Sequence, residues 1–274
     1  MDLNTTRRLN NGVEMPMMGL GVFRSQDGQE TVDAVRWALE AGYRHIDTAA
    51  SYGNEESVGE GLRQSGVPRE EVFITTKLWT TEMRAGKQRE SFLRSLEKLG
   101  VDYIDLYLIH WPAPLVYKPS YRIVEDLYKE GLIRAIGVSN FHEWHMEDLL
   151  EEAEVVPAVN QIEFHPLLTQ LPLIKYCEKI GCAPEAWSPL GAGHLLSDER
   201  VVSLAKKYGK TPAQVLLRWD LQMNVITIPK SVKKERIIEN SKIFDFELTL
   251  EDMAILAAMN TCTHFGKNPD IWSF

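Results

Sequence analysis

Short apolar runs rich in β-branched residues recur along the chain. Each is followed by a stretch whose apolar positions return with helical spacing. The runs are Met17–Phe23, Tyr43–Asp47, Val72–Lys77, Tyr103–His110, Arg134–Asn140, Ala158–Glu163, Cys182–Ser188 and Val225–Lys230. Several, such as IDLYLIH and VITIP, have the continuous hydrophobicity of parallel strands covered on both faces. Between them, Thr31–Ala41 gathers Val32, Val35, Ala38 and Leu39 on one helical face, and Glu90–Leu99 gathers Phe92, Leu93, Leu96 and Leu99. Glu130-Gly131 ends a helical segment that includes Ile123–Tyr128. Thr211-Pro212 reads as an N-cap and first-turn proline for a helix over Ala213–Leu221. Strand–helix units repeated in this way predict an α/β fold, a (β/α)8 TIM barrel. An open doubly wound sheet is the alternative, but it would use fewer strands per domain and show a break in composition, and the chain shows none.

Thr6–Met15 carries the turn signal Asn10-Asn11-Gly12 and reads as an N-terminal β-hairpin plugging the bottom of the barrel. After Lys230, a helix over Lys233–Ser241, an extended Ile243–Leu248, a helix from Thr249 and a polar tail predict a C-terminal helical cap. Residues 1–274 are therefore expected to form a single domain.

Polar residues stand where buried strands should end apolar: Asp47, Lys77, His110, Ser139-Asn140, Gln161, Ser188 and Lys230. In a barrel these ends converge on the face that carries active sites, and an Asp, Lys or His buried without a partner costs several kcal/mol. Asp47 and Lys77 read as a buried ion pair. Tyr52, five residues beyond Asp47, can fold back over the same mouth. A desolvated ammonium beside its phenol would favour the phenolate and lower its pKa from about 10, toward the range useful for proton transfer. His110 adds a neutral donor able to orient a carbonyl oxygen. This set polarises and protonates a carbonyl; it is unlike a Ser–His–Asp system, and no GxSxG occurs.

None of these groups supplies a hydride, so a nicotinamide cofactor is expected. Trp187 can stack on a flat ring, and Ser139, Asn140 and Gln161 can pair with a carboxamide. Ile228-Pro229-Lys230-Ser231-Val232, with Lys233, Lys234 and Arg236 just beyond, offers cations, a hydroxyl and a helix start to a phosphate.

Composition narrows the alternatives. The 274 residues are 44% hydrophobic and 25% charged, ordinary globular usage that excludes a disordered, collagen-like or coiled-coil chain. A net charge of −9 argues against nucleic acid or an anionic membrane as a partner. Cys177, Cys182 and Cys262 form no CxxC, so neither a disulfide framework nor a zinc ribbon is expected. With that cysteine usage a reducing cytoplasm fits. The N-terminal stretch with Arg7 and Arg8 lacks an apolar core and does not read as a signal peptide. No apolar run is long enough to span a membrane. The fragments Gly19-Leu-Gly21 and Gly191-Ala-Gly193 lack the third glycine of a dinucleotide fingerprint. His142-Glu-Trp-His145 has the wrong spacing for a zinc helix, so no metal is expected. His45 and His165 read as structural.

The segments MPMMGLGVF, YRHIDTAASYGNEESVGEGL, FITTKLW, DLYLIHWP, IRAIGVSNF, VNQIEFHP, AWSPLG and ITIPKSVKKERIIEN together resemble the aldo-keto reductases over essentially the whole length. The likeness is greatest to small microbial reductases of the diketogluconate, glyoxal/methylglyoxal and prostaglandin F synthase types. The resemblance implies Tyr52 as general acid, Asp47 and Lys77 as its tuning pair, and His110 as substrate orienter. It implies Ser139, Asn140 and Gln161 on the nicotinamide amide, Trp187 beneath the ring, and Ser188 and Leu190 also at the cofactor. It further implies Lys230, Ser231, Val232 and Arg236 on an adenosine 2′-phosphate, hence NADPH (or NADP+) over NADH, with Glu239 and Asn240 near the adenine. Phe23, Trp79 and Trp111 would line the substrate pocket. The implied activity is NADPH-dependent reduction of aldehydes or ketones, such as dicarbonyls or keto-sugars, by a monomer. A cofactor-binding regulatory subunit without turnover is the alternative. The chain departs from the family pattern at Pro184, within the seventh barrel strand, where a proline lacks a ladder donor and the local pairing is expected to suffer. It departs also in the unusual loop Thr80–Gly86, the short, irregular loop Ala113–Tyr121 and the tail Ile271–Phe274, the segments expected to set specificity.

Overall fold

The computed structural model describes residues 1–271. The chain opens with an antiparallel hairpin, β1 (Thr6–Arg8) and β2 (Glu14–Pro16), whose turn places Gly12 at φ +87°. Asn10 donates to Val156 O and Asn11 to Arg134 O, while Arg7 reaches Asn224 O. These acceptors flank the N-terminal ends of barrel strands, so the hairpin lies across the bottom, as predicted.

Eight parallel strands follow in order: β3 (Leu20–Gly21), β4 (His45–Asp47), β5 (Phe73–Leu78), β6 (Ile104–Ile109), β7 (Ile133–Ser139), β8 (Val159–Glu163), β9 (Ala183–Trp187) and β10 (Ile226–Thr227). Each pairs with its sequence neighbour. The sheet closes on itself through parallel bridges Met18–Thr227 and Gly21–Lys230. Gly19 N donates to Thr227 O and Thr227 N to Met17 O, both at 3.0 Å. The (β/α)8 barrel is thus complete, and every residue of β5 and β6 is buried, as the unbroken apolar runs require.

The helices are α1 (Gln29–Glu40), α2 (Glu55–Ser65), α3 (Thr80–Arg84), α4 (Gln88–Leu99), α5 (Tyr117–Lys129), α6 (Glu143–Leu150), α7 (Leu171–Lys179), α8 (Glu199–Tyr208), α9 (Pro212–Gln222), α10 (Lys234–Asn240) and α11 (Leu250–Ala257). α9 begins as predicted. Thr211 Oγ1 accepts from Gln214 N, Gln214 Oε1 accepts from Thr211 N, and Pro212 occupies the first turn, where no amide donor is needed. No helix of the described residues is long and apolar enough to cross a membrane.

Three expectations need correction. Thr80–Gly86 is largely the short helix α3, anchored by buried Thr80 and Met83. Only the first part of Ala113–Tyr121 is a loop, because α5 begins at Tyr117 and buries Tyr117, Ser120 and Tyr121. Ile243–Leu248 joins no strand ladder among the described residues. Pro184 does not interrupt the sheet. It sits opposite Asn160 in an unbroken β8–β9 register, and pairing with β10 begins one residue later, at Glu185. The tail residues 272–274 lie outside the described residues.

Candidate active site

Side chains two apart on a strand share a face, and β4 turns both His45 and Asp47 into the barrel. His45 Nε2 is 3.1 Å from Thr75 Oγ1 of β5. One step higher, Lys77 Nζ donates to Asp47 Oδ1 at 2.6 Å and Oδ2 at 2.8 Å, to Thr48 O at 2.8 Å and to Tyr52 Oη at 3.4 Å. Tyr52 reaches this position from a single helical turn, Ala50–Tyr52, immediately beyond β4. The His110 ring stands edge-on to Tyr52 with centroids 5.7 Å apart. Asp47, Lys77 and His110, singled out at strand ends, therefore form one cluster with Tyr52 at the barrel mouth.

The electrostatics of this cluster follow from burial and one cation. Burial alone would push the Lys77 ammonium down, but Asp47, Tyr52 and Glu185 outweigh it and its pKa is raised. Burial pushes the Asp47 carboxyl up, with Lys77 and Gln161 pulling in the other direction. His110 is held well below its usual range, first by burial and then by Lys77, so it is a neutral imidazole. The expectation for Tyr52 needs correction. Lys77 does draw its pKa down, but burial is larger and the net value is pushed up to about 12. The phenol therefore holds its proton firmly.

Aromatic rings flank the cluster. Phe23 lies 5.0 Å from Tyr52, and Trp79 lies 5.0 Å from His110, both centroid to centroid. Phe23 is half exposed, and Trp111 is buried beside His110 in the chain. The residues expected around a nicotinamide also come together. Ser139 pairs with Gln161 across β7 and β8 and donates to Gln161 O at 2.9 Å. Asn140 donates to His110 O and to Ser139 Oγ, and its Oδ1 accepts from Trp187 Nε1 at 2.9 Å. Asn140 and Ser188 both take left-handed backbone conformations, φ 64° and 52°. Such strain in a non-glycine residue is typical of sites whose surroundings impose it.

The basic segment sits at the same edge, because Lys230 bridges to Gly21 of β3. Ser231 is buried and bonded to the backbone of Lys233, while Lys230, Lys233 and Arg236 project exposed side chains. Val232 is half-buried against the core, and Leu190 packs against it as well. Glu239 accepts from Thr211 Oγ1, and Asn240 is buried at the end of α10.

Two features escaped the sequence reading. Glu185 of β9 is wholly buried and accepts from Gln161 Nε2; it reads in sequence as a charge inside an ordinary strand. Glu163, at the end of β8, accepts from Phe265 N, Gly266 N and His264, and so fastens the C-terminal segment over the mouth. Gly266 lies so close to Trp187 that a Cβ would approach the indole to 2.3 Å. The long separation between Glu163 and Gly266 left no local signal. His142, His145 and Asp270 bring nitrogen and oxygen atoms within 4.8 Å of one another. In the fold these atoms serve each other and the start of α6: His142 Nδ1 contacts Asp270, and His142 N donates to His145.

The model of the Aldo/keto reductase family matches residues 17–261. The chain belongs to the aldo-keto reductase family. It is 54% identical over 268 residues to the glyoxal reductase of Bacillus subtilis (strain 168), covering 98% of this chain and 97% of that one. Among solved structures, an aldo-keto reductase from a Medee basin deep-sea metagenome library superposes with a TM-score of 0.93 at 45% identity, covering 98% of this chain and all of the other (100%). A Bombyx mori aldo-keto reductase in complex with NADP superposes with a TM-score of 0.92 at 38% identity, covering 98% and 97% of the two chains. This aldo-keto reductase thus has the barrel that its strand pattern predicts.

Proposed function

We propose that this aldo-keto reductase reduces small aldehydes and ketones, dicarbonyls among them, with NADPH as cofactor and Tyr52 as general acid. One observation carries the reading: the Tyr52 phenol lies on the buried Lys77–Asp47 pair at the barrel mouth, with a neutral His110 beside it. The likeness to a glyoxal reductase and to a structure holding NADP supports the substrate class and the cofactor.

The residues fit a nicotinamide dinucleotide. Gln161 has both amide hydrogens engaged, on Asp47 and Glu185, and so has its carbonyl oxygen to offer a carboxamide. Trp187 provides an indole face, held in plane by its bond to Asn140. Lys230, Ser231, Val232 and Arg236 would hold the 2′-phosphate, with Glu239 and Asn240 near the adenine and Ser188 and Leu190 also at the cofactor. The cofactor, when bound, supplies the hydride.

The protein supplies the rest. His110 donates to the carbonyl oxygen and fixes its direction. Tyr52 Oη donates its proton to the oxygen as negative charge develops there. Lys77 stabilises the phenolate left behind, and Asp47 keeps Lys77 charged and aimed. Phe23, Trp79 and Trp111 shield the reacting carbonyl from water. A phenol whose pKa burial has raised gives up its proton only to a strong base, which a developing alkoxide is and a resting carbonyl is not.

The test is NADPH consumption by the purified chain over a panel of glyoxal, methylglyoxal, nitrobenzaldehyde and a keto-sugar. Turnover of the dicarbonyls is expected. NADPH binding without turnover on any carbonyl would overturn the reading and favour a regulatory cofactor-binding role.

A further inference from the structure

Gln161 is the junction between the proton-donating cluster and the nicotinamide end of the site. Its Nε2 donates to Asp47 Oδ2 at 2.7 Å and to Glu185 Oε2 at 2.8 Å. An amide nitrogen carries two hydrogens, so both are engaged, and Oε1 is the group's remaining acceptor. Asp47 decides which way round the amide lies, because a carbonyl oxygen turned toward that carboxylate would be repelled. Asp47 alone would still leave the amide held at one hydrogen and able to swing about it. Glu185 takes the second hydrogen and fixes the plane.

Glu185 has no other visible task. Its side chain is wholly buried and its Oε1 has no hydrogen-bond partner. The groups facing it are His45, 3.8 Å away on β4, and Asp47, Lys77 and Gln161. A leucine would fill the same space without desolvating a carboxyl group. A buried polar group that costs stability and contacts a site residue marks a functional position.

We propose that Glu185 is a positioning residue for carbonyl reduction: it locks the Gln161 amide so that Oε1 accepts from the carboxamide N–H of the nicotinamide. This rests on the NADPH-reductase reading above. The hydrogen-bond chain Glu185–Gln161–Asp47–Lys77–Tyr52 then ties the orientation of the cofactor ring to the placement of the acid.

The test compares Glu185→Leu and Glu185→Gln with the wild-type chain by isothermal titration calorimetry, using NADPH and 2′,5′-ADP, which lacks the nicotinamide. Glu185→Leu is expected to raise the NADPH Kd about ten-fold, the worth of one buried hydrogen bond to a fixed partner. It should leave 2′,5′-ADP within about two-fold, because that ligand carries no carboxamide for Gln161 to hold. Glu185→Gln, still able to accept from Gln161, should restore most of the NADPH affinity. Glu185→Thr, too short to reach Gln161, carries the same expectation as leucine if the leucine chain does not fold. Unchanged NADPH affinity in Glu185→Leu or Glu185→Thr, or an equal loss for both ligands, would overturn the inference. A wild-type chain that does not bind NADPH removes the cofactor reading itself, an outcome visible before any variant is compared.

Discussion

Lys77 Nζ lies 2.6 and 2.8 Å from the two carboxylate oxygens of Asp47, and both side chains are sealed inside the barrel. Removing the cation alone strands a buried carboxylate. Lys77→Met is therefore expected to destabilise the fold by about 3–5 kcal/mol, and the double variant Asp47→Asn/Lys77→Met by clearly less than the sum of the two single changes. Chemical denaturation of the three variants measures this. Additive losses would show that the two groups do not depend on each other.

Lys230 stands exposed at the edge where β10 meets β3, and Arg236 stands exposed on α10 just beyond it in the chain. If they hold a 2′-phosphate, Arg236→Ala should weaken NADPH by about ten-fold or more while changing NADH by no more than about two-fold. Equal losses for the two cofactors would remove the phosphate role.

Glu185 also links stability to pH. Burial, then repulsion from Asp47, pushes its pKa from 4.5 to about 8. In the unfolded chain the carboxyl ionises near 4.5, whereas the fold keeps it neutral up to about 8. Folding therefore takes up a proton between these values, and the contribution to stability, full below the lower one, is lost as pH rises through the upper one. Thermal unfolding of wild type should lose more stability between about pH 5 and about pH 9 than that of Glu185→Gln, which has nothing to titrate there. Parallel curves would contradict the assignment.

Gly266 leaves no room for a side chain, since a Cβ would meet three indole carbons of Trp187 at 2.3, 2.9 and 3.3 Å. Gly266→Ala should displace either the indole or the segment that Glu163 fastens, costing about 1–3 kcal/mol. It should also shift tryptophan emission and weaken NADPH binding. Unaltered emission and stability would mean that the contact is not maintained.

Much of this was legible in the sequence for a physical reason. Continuous apolar runs mark parallel strands, and Asp47, Lys77, His110 and Gln161 stand out because charges and amides at the ends of such runs demand partners. The barrel order then brings those partners together. What was not legible depended on distance or on competing energies. Glu185 looks like a strand charge until Gln161, on the neighbouring strand, is seen to donate to it. The Glu163–Gly266 contact joins residues 103 apart in the chain and has no local signature. The Tyr52 pKa could not be signed from composition, because the cation and the burial act in opposite directions and only the packed site shows that burial is larger. Thr80–Gly86 read as a loop because a five-residue helix is too short to show periodicity.

Single-turnover reduction of methylglyoxal by NADPH-loaded enzyme shows whether Tyr52 is the proton donor. Tyr52→Phe keeps the ring packed against Phe23 and removes only the hydroxyl. The rate of the chemical step is expected to fall about 10²–10⁴-fold with NADPH affinity unchanged. A Tyr52→Phe chain that reduced methylglyoxal at the wild-type rate would contradict that role.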